Sequence, residues 1–196
     1  MSKIETRLKL YMAAVELIAE QGYTATTVDA IAERAGVAKG TVFYNFGSKD
    51  ALFAALLEHG IQLLTDMLDD ARRGEPDEPL RRLDAVVMAQ LRFFEEYGAF
   101  ARVLLAEMWR TTWQEAVARL RRQALGVYTE VLRQAVDAGL LRADLDVETA
   151  ATALFGMVLT VSIERRALRP DRPLAEVHAT LADLIHGRIS GGTATA

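Results

Sequence analysis

The chain of 196 residues is half apolar and contains no cysteine, which excludes disulfide frameworks, thiolate metal sites and cysteine nucleophiles. Its net charge is −4, from 23 basic and 27 acidic residues, a total that argues mildly against a nucleic-acid partner. No apolar run approaches the roughly 20 residues of a membrane span, and Glu5 and Glu16 interrupt the N-terminal apolar pattern where a signal peptide would be uncharged, so a cytoplasmic protein without a membrane partner is expected.

Between sparse glycines and prolines, nearly every stretch has helical period. Leu8, Tyr11, Met12, Val15, Ile18 and Ala19 form one apolar stripe, closed by Gly22. Thr27 can cap a short helix over residues 28–35, stopped by Gly36, and a second short helix over 39–46 ends at Gly47. Ser48 can cap a long helix from Lys49 to about Arg73, roughly 37 Å at 1.5 Å per residue. The linker GEPDEP follows, then helices near 80–97, 100–109, 113–138, 147–168 and 174–189, and a flexible tail over 190–196. No stretch alternates as a strand. An all-α protein of about nine helices is expected.

Two helices of under ten residues are marginal alone, so the break AGVAKG between them needs a reason. Counting from Val28, a small residue falls at the fifth position (Ala32), glycine at the ninth (Gly36) and a β-branched residue at the fifteenth (Val42). Ala32 permits close approach of the helices, Gly36 supplies a tight turn, and Val42 packs between them, with Ile31, Val37 and Phe46 completing a small core. This spacing is that of a helix-turn-helix, whose second helix can enter a major groove. The charge layout agrees. All four lysines, Lys3, Lys9, Lys39 and Lys49, lie in the first 50 residues, which balance six basic against six acidic groups. The rest of the chain holds 17 basic and 21 acidic groups.

The run from EQGYTATTV through IAERAGVAKGTVFYNF to GSKDALFAALL resembles the N-terminal domain of the TetR family of transcriptional regulators, densely over residues 5–57. The resemblance implies a three-helix, helix-turn-helix DNA-binding domain over 1–48, joined by the long helix to a helical ligand-binding and dimerisation bundle over 49–189. It implies base and backbone contacts from Lys39, Gly40 and Thr41, phosphate contacts from Tyr44, Asn45 and Lys49, and Thr27 near the DNA backbone. The chemistry is reasonable, because lysine suits phosphate or guanine O6 and N7 and helix N-termini offer free N–H donors to phosphate. Ala38 stands where many members have a capping serine, and Phe43 where tyrosine is frequent. Asp29 stands where some members have a basic residue, and would repel phosphate unless it caps or pairs locally. Phe43 and Phe46 read as core.

Large aromatic and methionine side chains concentrate further along, and Met67, Phe94, Met108, Trp109, Trp113 and Tyr128 are the candidate lining of an apolar effector cavity. His59, His178 and His186 lack metal-site spacing, and no metal, cofactor or catalytic group is expected. Ala150, Ala153, Gly156 and Thr160 form a small-residue face on helix 147–168, which with helix 174–189 offers a twofold homodimer contact. The expected function is a ligand-responsive regulator, a repressor released from a palindromic double-stranded operator by an apolar or aromatic small molecule. The alternative is a helical carrier or enzyme for an apolar small molecule, without DNA affinity.

Overall fold

A computed structural model describes residues 2–74, 78–107 and 113–189. Met108, Trp109 and the tail 190–196 lie outside these residues. The described chain is helical throughout: α1 (Lys3–Gln21), α2 (Val28–Ala35), α3 (Lys39–Phe46), α4 (Lys49–Gly74), α5 (Pro79–Glu96), α6 (Gly98–Glu107), α7 (Gln114–Arg122), α8 (Ala124–Asp137), α9 (Val147–Leu168) and α10 (Leu174–Ile189). The expected helix over 113–138 is divided at Gln123, whose φ of −95° and ψ of −83° interrupt the helical path. Taken as one bent run, α7 and α8 make the nine expected helices.

The chain divides into two compact units, one of residues 1–61 with 99–119, the other of 62–98 with 120–196. The long helix α4 therefore contributes to both, and the segment carrying α6 belongs with the N-terminal helices, an association that no local pattern announces. In the first unit α1 begins with a capping box, Ser2 accepting from the Glu5 amide while Glu5 accepts from the Ser2 amide. Helix α1 packs on α2 and buries Leu10, Tyr11, Ala14, Val15 and Ile18. Leu8 and Met12, expected in that stripe, lie exposed, because the buried face is centred on Leu10, Ala14 and Leu17, one helical step away. Helix α6 approaches α4 closely at Gly60, where a Cβ would sit 2.3 Å from the Phe100 ring.

In the second unit α5, α8 and α9 pack on one another and α10 packs on α5. Apolar side chains fill this core, and one polar chain crosses it. Tyr128 on α8 donates to the Gln90 carbonyl oxygen at 2.5 Å, and the Gln90 amide donates to the Phe155 backbone carbonyl at 3.0 Å. Each side-chain polar atom in this chain is paired, which is the condition for burying it. By length and composition α4 and α9 could each cross a membrane. Leu52, Phe53, Ile61 and Leu64 of α4 and Leu154 and Phe155 of α9 are core residues.

Candidate nucleic-acid interface

The first unit joins α2 to α3 through a tight turn. Thr27 caps α2 by accepting from the Ala30 amide at 3.1 Å. The helix ends at Gly36, in the left-handed conformation at φ 66° and ψ 38°, where a side chain would be strained. The Val37 amide then donates back to the Ala32 carbonyl at 3.0 Å, which fixes the turn. Ile31, Ala32 and Val42 are buried at 1%, 3% and 0% exposure, so the two helices meet on the residues whose spacing defined the motif. Val37 and Phe46 are half-buried. The Phe46 ring lies 5.4 Å from that of Tyr11, with the Arg7 guanidinium 4.5 Å away.

With Val42 inward, Lys39, Gly40, Phe43 and Tyr44 turn outward together. Tyr44 is 81% and Phe43 46% exposed, large aromatic rings that the fold leaves uncovered. The expectation that Phe43 is core is therefore corrected. It lies one turn from Lys39 and beside Tyr44, so the helical period places it on the outer face with them. Gly40 meets no atom within 4 Å of where a Cβ would be, so the fold itself has no need of a glycine there. The N-cap Ala38 makes no side-chain cap bond, which leaves the start of α3 without a covering hydroxyl. Lys3, at the start of α1, places its ammonium 6.0 Å from the Tyr44 ring, a basic neighbour that the motif did not single out.

The other expected contacts are held inside the unit. Lys49 donates to the carbonyls of Tyr23 and Thr26, both at 3.0 Å, and its ammonium lies 4.2 Å from the Tyr23 ring centre. Asn45 donates to the Thr41 carbonyl at 2.8 Å, and its side-chain oxygen is buried without a partner. Thr41 is half-buried. Lys39 pairs with Asp29 at 2.9 Å, and Arg34 pairs with Glu16 and Glu20 at 3.3 and 3.0 Å. Beside Lys49, the Tyr23 hydroxyl donates to Asp50. Burial first, and then that bond, push the Tyr23 hydroxyl far above its usual range.

The expected effector residues separate. Phe94 and Tyr128 are fully buried in the second unit, their rings edge-on to Phe155 at 6.3 and 6.4 Å. Met67 is half-buried on α4 in the same unit. Trp113 belongs to the first unit, edge-on to Tyr23 and Phe53 at 5.2 and 4.6 Å, with its indole N–H buried and without a partner. His59 stacks on Tyr11 at 5.1 Å. On α10, His186 bonds the Asp84 carboxylate at 3.0 Å and His178 its backbone carbonyl at 2.9 Å. Among the described residues no group of three or more histidine and acidic side chains is placed to hold a metal.

A short helix held at a fixed angle by a glycine turn, with its outer face uncovered and basic at its start, defines a helix-turn-helix DNA-binding protein. The chain belongs to the tetR family of bacterial regulatory proteins, whose N-terminal model matches residues 10–56, while a tetracyclin repressor-like C-terminal model matches residues 76–163. It is 29% identical to the transcriptional repressor KstR2 of Mycobacterium tuberculosis over 175 residues, covering 86% of this chain and 84% of that one. It is 31% identical to the transcriptional activator FasR of Mycolicibacterium smegmatis over 172 residues, covering 87% and 75%. The solved structure of KstR2, described as a ketosteroid transcriptional regulator, superposes with a TM-score of 0.76 at 25% identity over 95% of each chain. FadR of Bacillus subtilis, solved with stearoyl-CoA, has a TM-score of 0.79 at 20% identity over 91% of this chain and 96% of that one, and shows the shared fold alone. The protein is a DNA-binding transcriptional regulator.

Proposed function

We propose that the protein is a homodimeric repressor that reads a palindromic operator through the outer face of α3 and is released by an apolar effector. The observation that carries this reading is that outer face. Lys39, Gly40, Phe43 and Tyr44 share it, and the fold covers none of them. Lys39 supplies a cation for a base edge or phosphate, Gly40 permits close approach, and Tyr44 offers a phenol hydroxyl to the DNA backbone. Thr27, exposed at the start of α2, keeps its hydroxyl hydrogen for a phosphate after accepting the cap bond. Lys49 and Asn45 act indirectly, by fixing the loop before α2 and the end of α3.

Helix α9 supports the dimer. Its inner side packs on α5 and α8, whereas Ala153 and Thr160 are exposed and Gly156 and Val161 half-buried on the other side. Leu184 on α10 is also exposed. Two copies of this face form an isologous four-helix contact and set the spacing of the two recognition helices.

For the effector, the apolar core of the second unit, built from residues such as Phe94, Val131 and Phe155, suits a bulky apolar molecule. The stearoyl-CoA complex of FadR and the ketosteroid description of KstR2 are in keeping with that class. An effector that favours one dimer spacing by about 1–3 kcal/mol changes operator affinity 5- to 150-fold, and the operator weakens effector binding by the same factor. The test is to select duplexes from genomic DNA with the protein, then titrate the winning duplex in the presence of acyl-CoA or steroid compounds. Release by one of them, with reciprocal weakening of its own binding by DNA, is the expected result. Binding of such a compound with no effect on DNA affinity would remove it as the effector.

A further inference from the structure

The Asp29–Lys39 pair is the feature of the recognition surface that DNA binding alone leaves unexplained. A carboxylate beside the leading lysine opposes the phosphate backbone. Its carrier is the first turn of α2, so it is fixed relative to α3 by the buried Ile31, Ala32 and Val42 contact. Both partners are more than half exposed, at 66% for Asp29 and 54% for Lys39. An exposed pair of this kind contributes little to stability, so it is not there to hold the helices together. Glu33, one turn further along α2, is also exposed and has the same charge.

We propose that Asp29 is a specificity-determining residue, one that withholds Lys39 from phosphate and yields it to a G·C base pair. The inference rests on the reading of α3 as the DNA-contacting helix. Binding to random sequence consists almost wholly of phosphate contacts. On such DNA the ammonium of Lys39 is already neutralised by Asp29, and the carboxylate repels the backbone, so every non-matching duplex is penalised. A G·C pair offers a different exchange. Its major-groove edge carries the guanine O6 and N7 acceptors beside the cytosine N4 donor. An ammonium and a carboxylate 2.9 Å apart present the complementary donor and acceptor side by side. The pair then meets the base pair without leaving either charge unpaired. Discrimination arises as much from what Asp29 rejects as from what Lys39 attracts.

The test compares wild type with Asp29→Asn, on the duplex that wild type selects from genomic DNA and on a random-sequence duplex of equal length, across a salt series. Asp29→Asn should raise random-duplex affinity by about fivefold, the scale of one exposed charge pair, and steepen its salt slope by roughly one. Affinity for the selected duplex should rise less or fall, so the ratio between the two declines. Glu33→Gln removes the same charge without freeing Lys39, and should move both affinities equally. In a Lys39→Gln background the Asp29→Asn ratio effect should disappear. An equal rise on both duplexes, as in Glu33→Gln, or a ratio effect that persists without Lys39, overturns the proposal while leaving the DNA reading intact. A wild-type protein that prefers no duplex overturns both. Equal melting temperatures of the variants show that the readout is recognition and not folding.

Discussion

Nothing in the fold requires the glycine at position 40. Its position meets no protein atom, and glycine in a helix is less favourable than alanine by up to about 1 kcal/mol. Gly40→Ala should therefore raise stability by several tenths of a kcal/mol in a urea titration while weakening the selected duplex. A gain in both would show that no partner approaches that face. Lys49 is the converse case, a cation spent on the protein itself. Bound to the Tyr23 and Thr26 carbonyls and lying against the Tyr23 ring, it braces the loop between α1 and α2. Lys49→Met should lower stability by about 1–3 kcal/mol, the scale of hydrogen bonds to a charged group. The salt slope of DNA binding should stay unchanged in the fraction that remains folded. A slope shallower by one, with full stability, would return Lys49 to the phosphate contacts.

Helices α5, α8 and α9 are tied through Gln90, and that tie has a pH signature. Burial raises the Tyr128 hydroxyl far above the ordinary tyrosine value, about 10. A raised folded-state value means stability that is full below about pH 10 and is lost as the pH climbs beyond it, where the unfolded chain ionises first. Tyr128→Phe should be less stable than wild type at pH 8 by about 1–3 kcal/mol, because the Gln90 oxygen is left without its donor. Between pH 8 and pH 10.5 it should lose less stability than wild type does. Parallel losses would show that Tyr128 is not protected. The elements themselves were legible wherever one residue does one local job: Thr27 and Ser48 as caps, Gly36 as the turn, Ala32 and Val42 as the contact between α2 and α3. What was not legible depends on distant partners. The acceptors of Lys49 lie 26 and 23 residues before it, and Trp113 joins Tyr23 and Phe53 of the first unit instead of Phe94 and Tyr128. Helical period identifies a buried face but not what covers it. Phe43, expected in the core, shares the outer side of α3 with Lys39 at helical spacing.

At the scale of the whole molecule, the proposed repressor needs two recognition helices at one spacing, so on that reading dimerisation and DNA affinity should fail together. No atom lies within 4 Å of a Cβ built at Gly156, so Gly156→Trp should fold as a protomer and sediment as a monomer. The selected palindromic duplex should then bind far more weakly, each half-site acting alone; a dimeric variant would move the interface away from α9. The central claim, that the outer face of α3 contacts DNA, is tested most directly by Gly40→Trp. The position is open in the protein, so melting should stay close to that of wild type, while the indole fills the space reserved for the duplex. Titrating wild type and Gly40→Trp against the selected duplex should show a loss of roughly a hundredfold, comparable to losing one good base contact. Undiminished affinity in a normally folded Gly40→Trp protein would contradict the account.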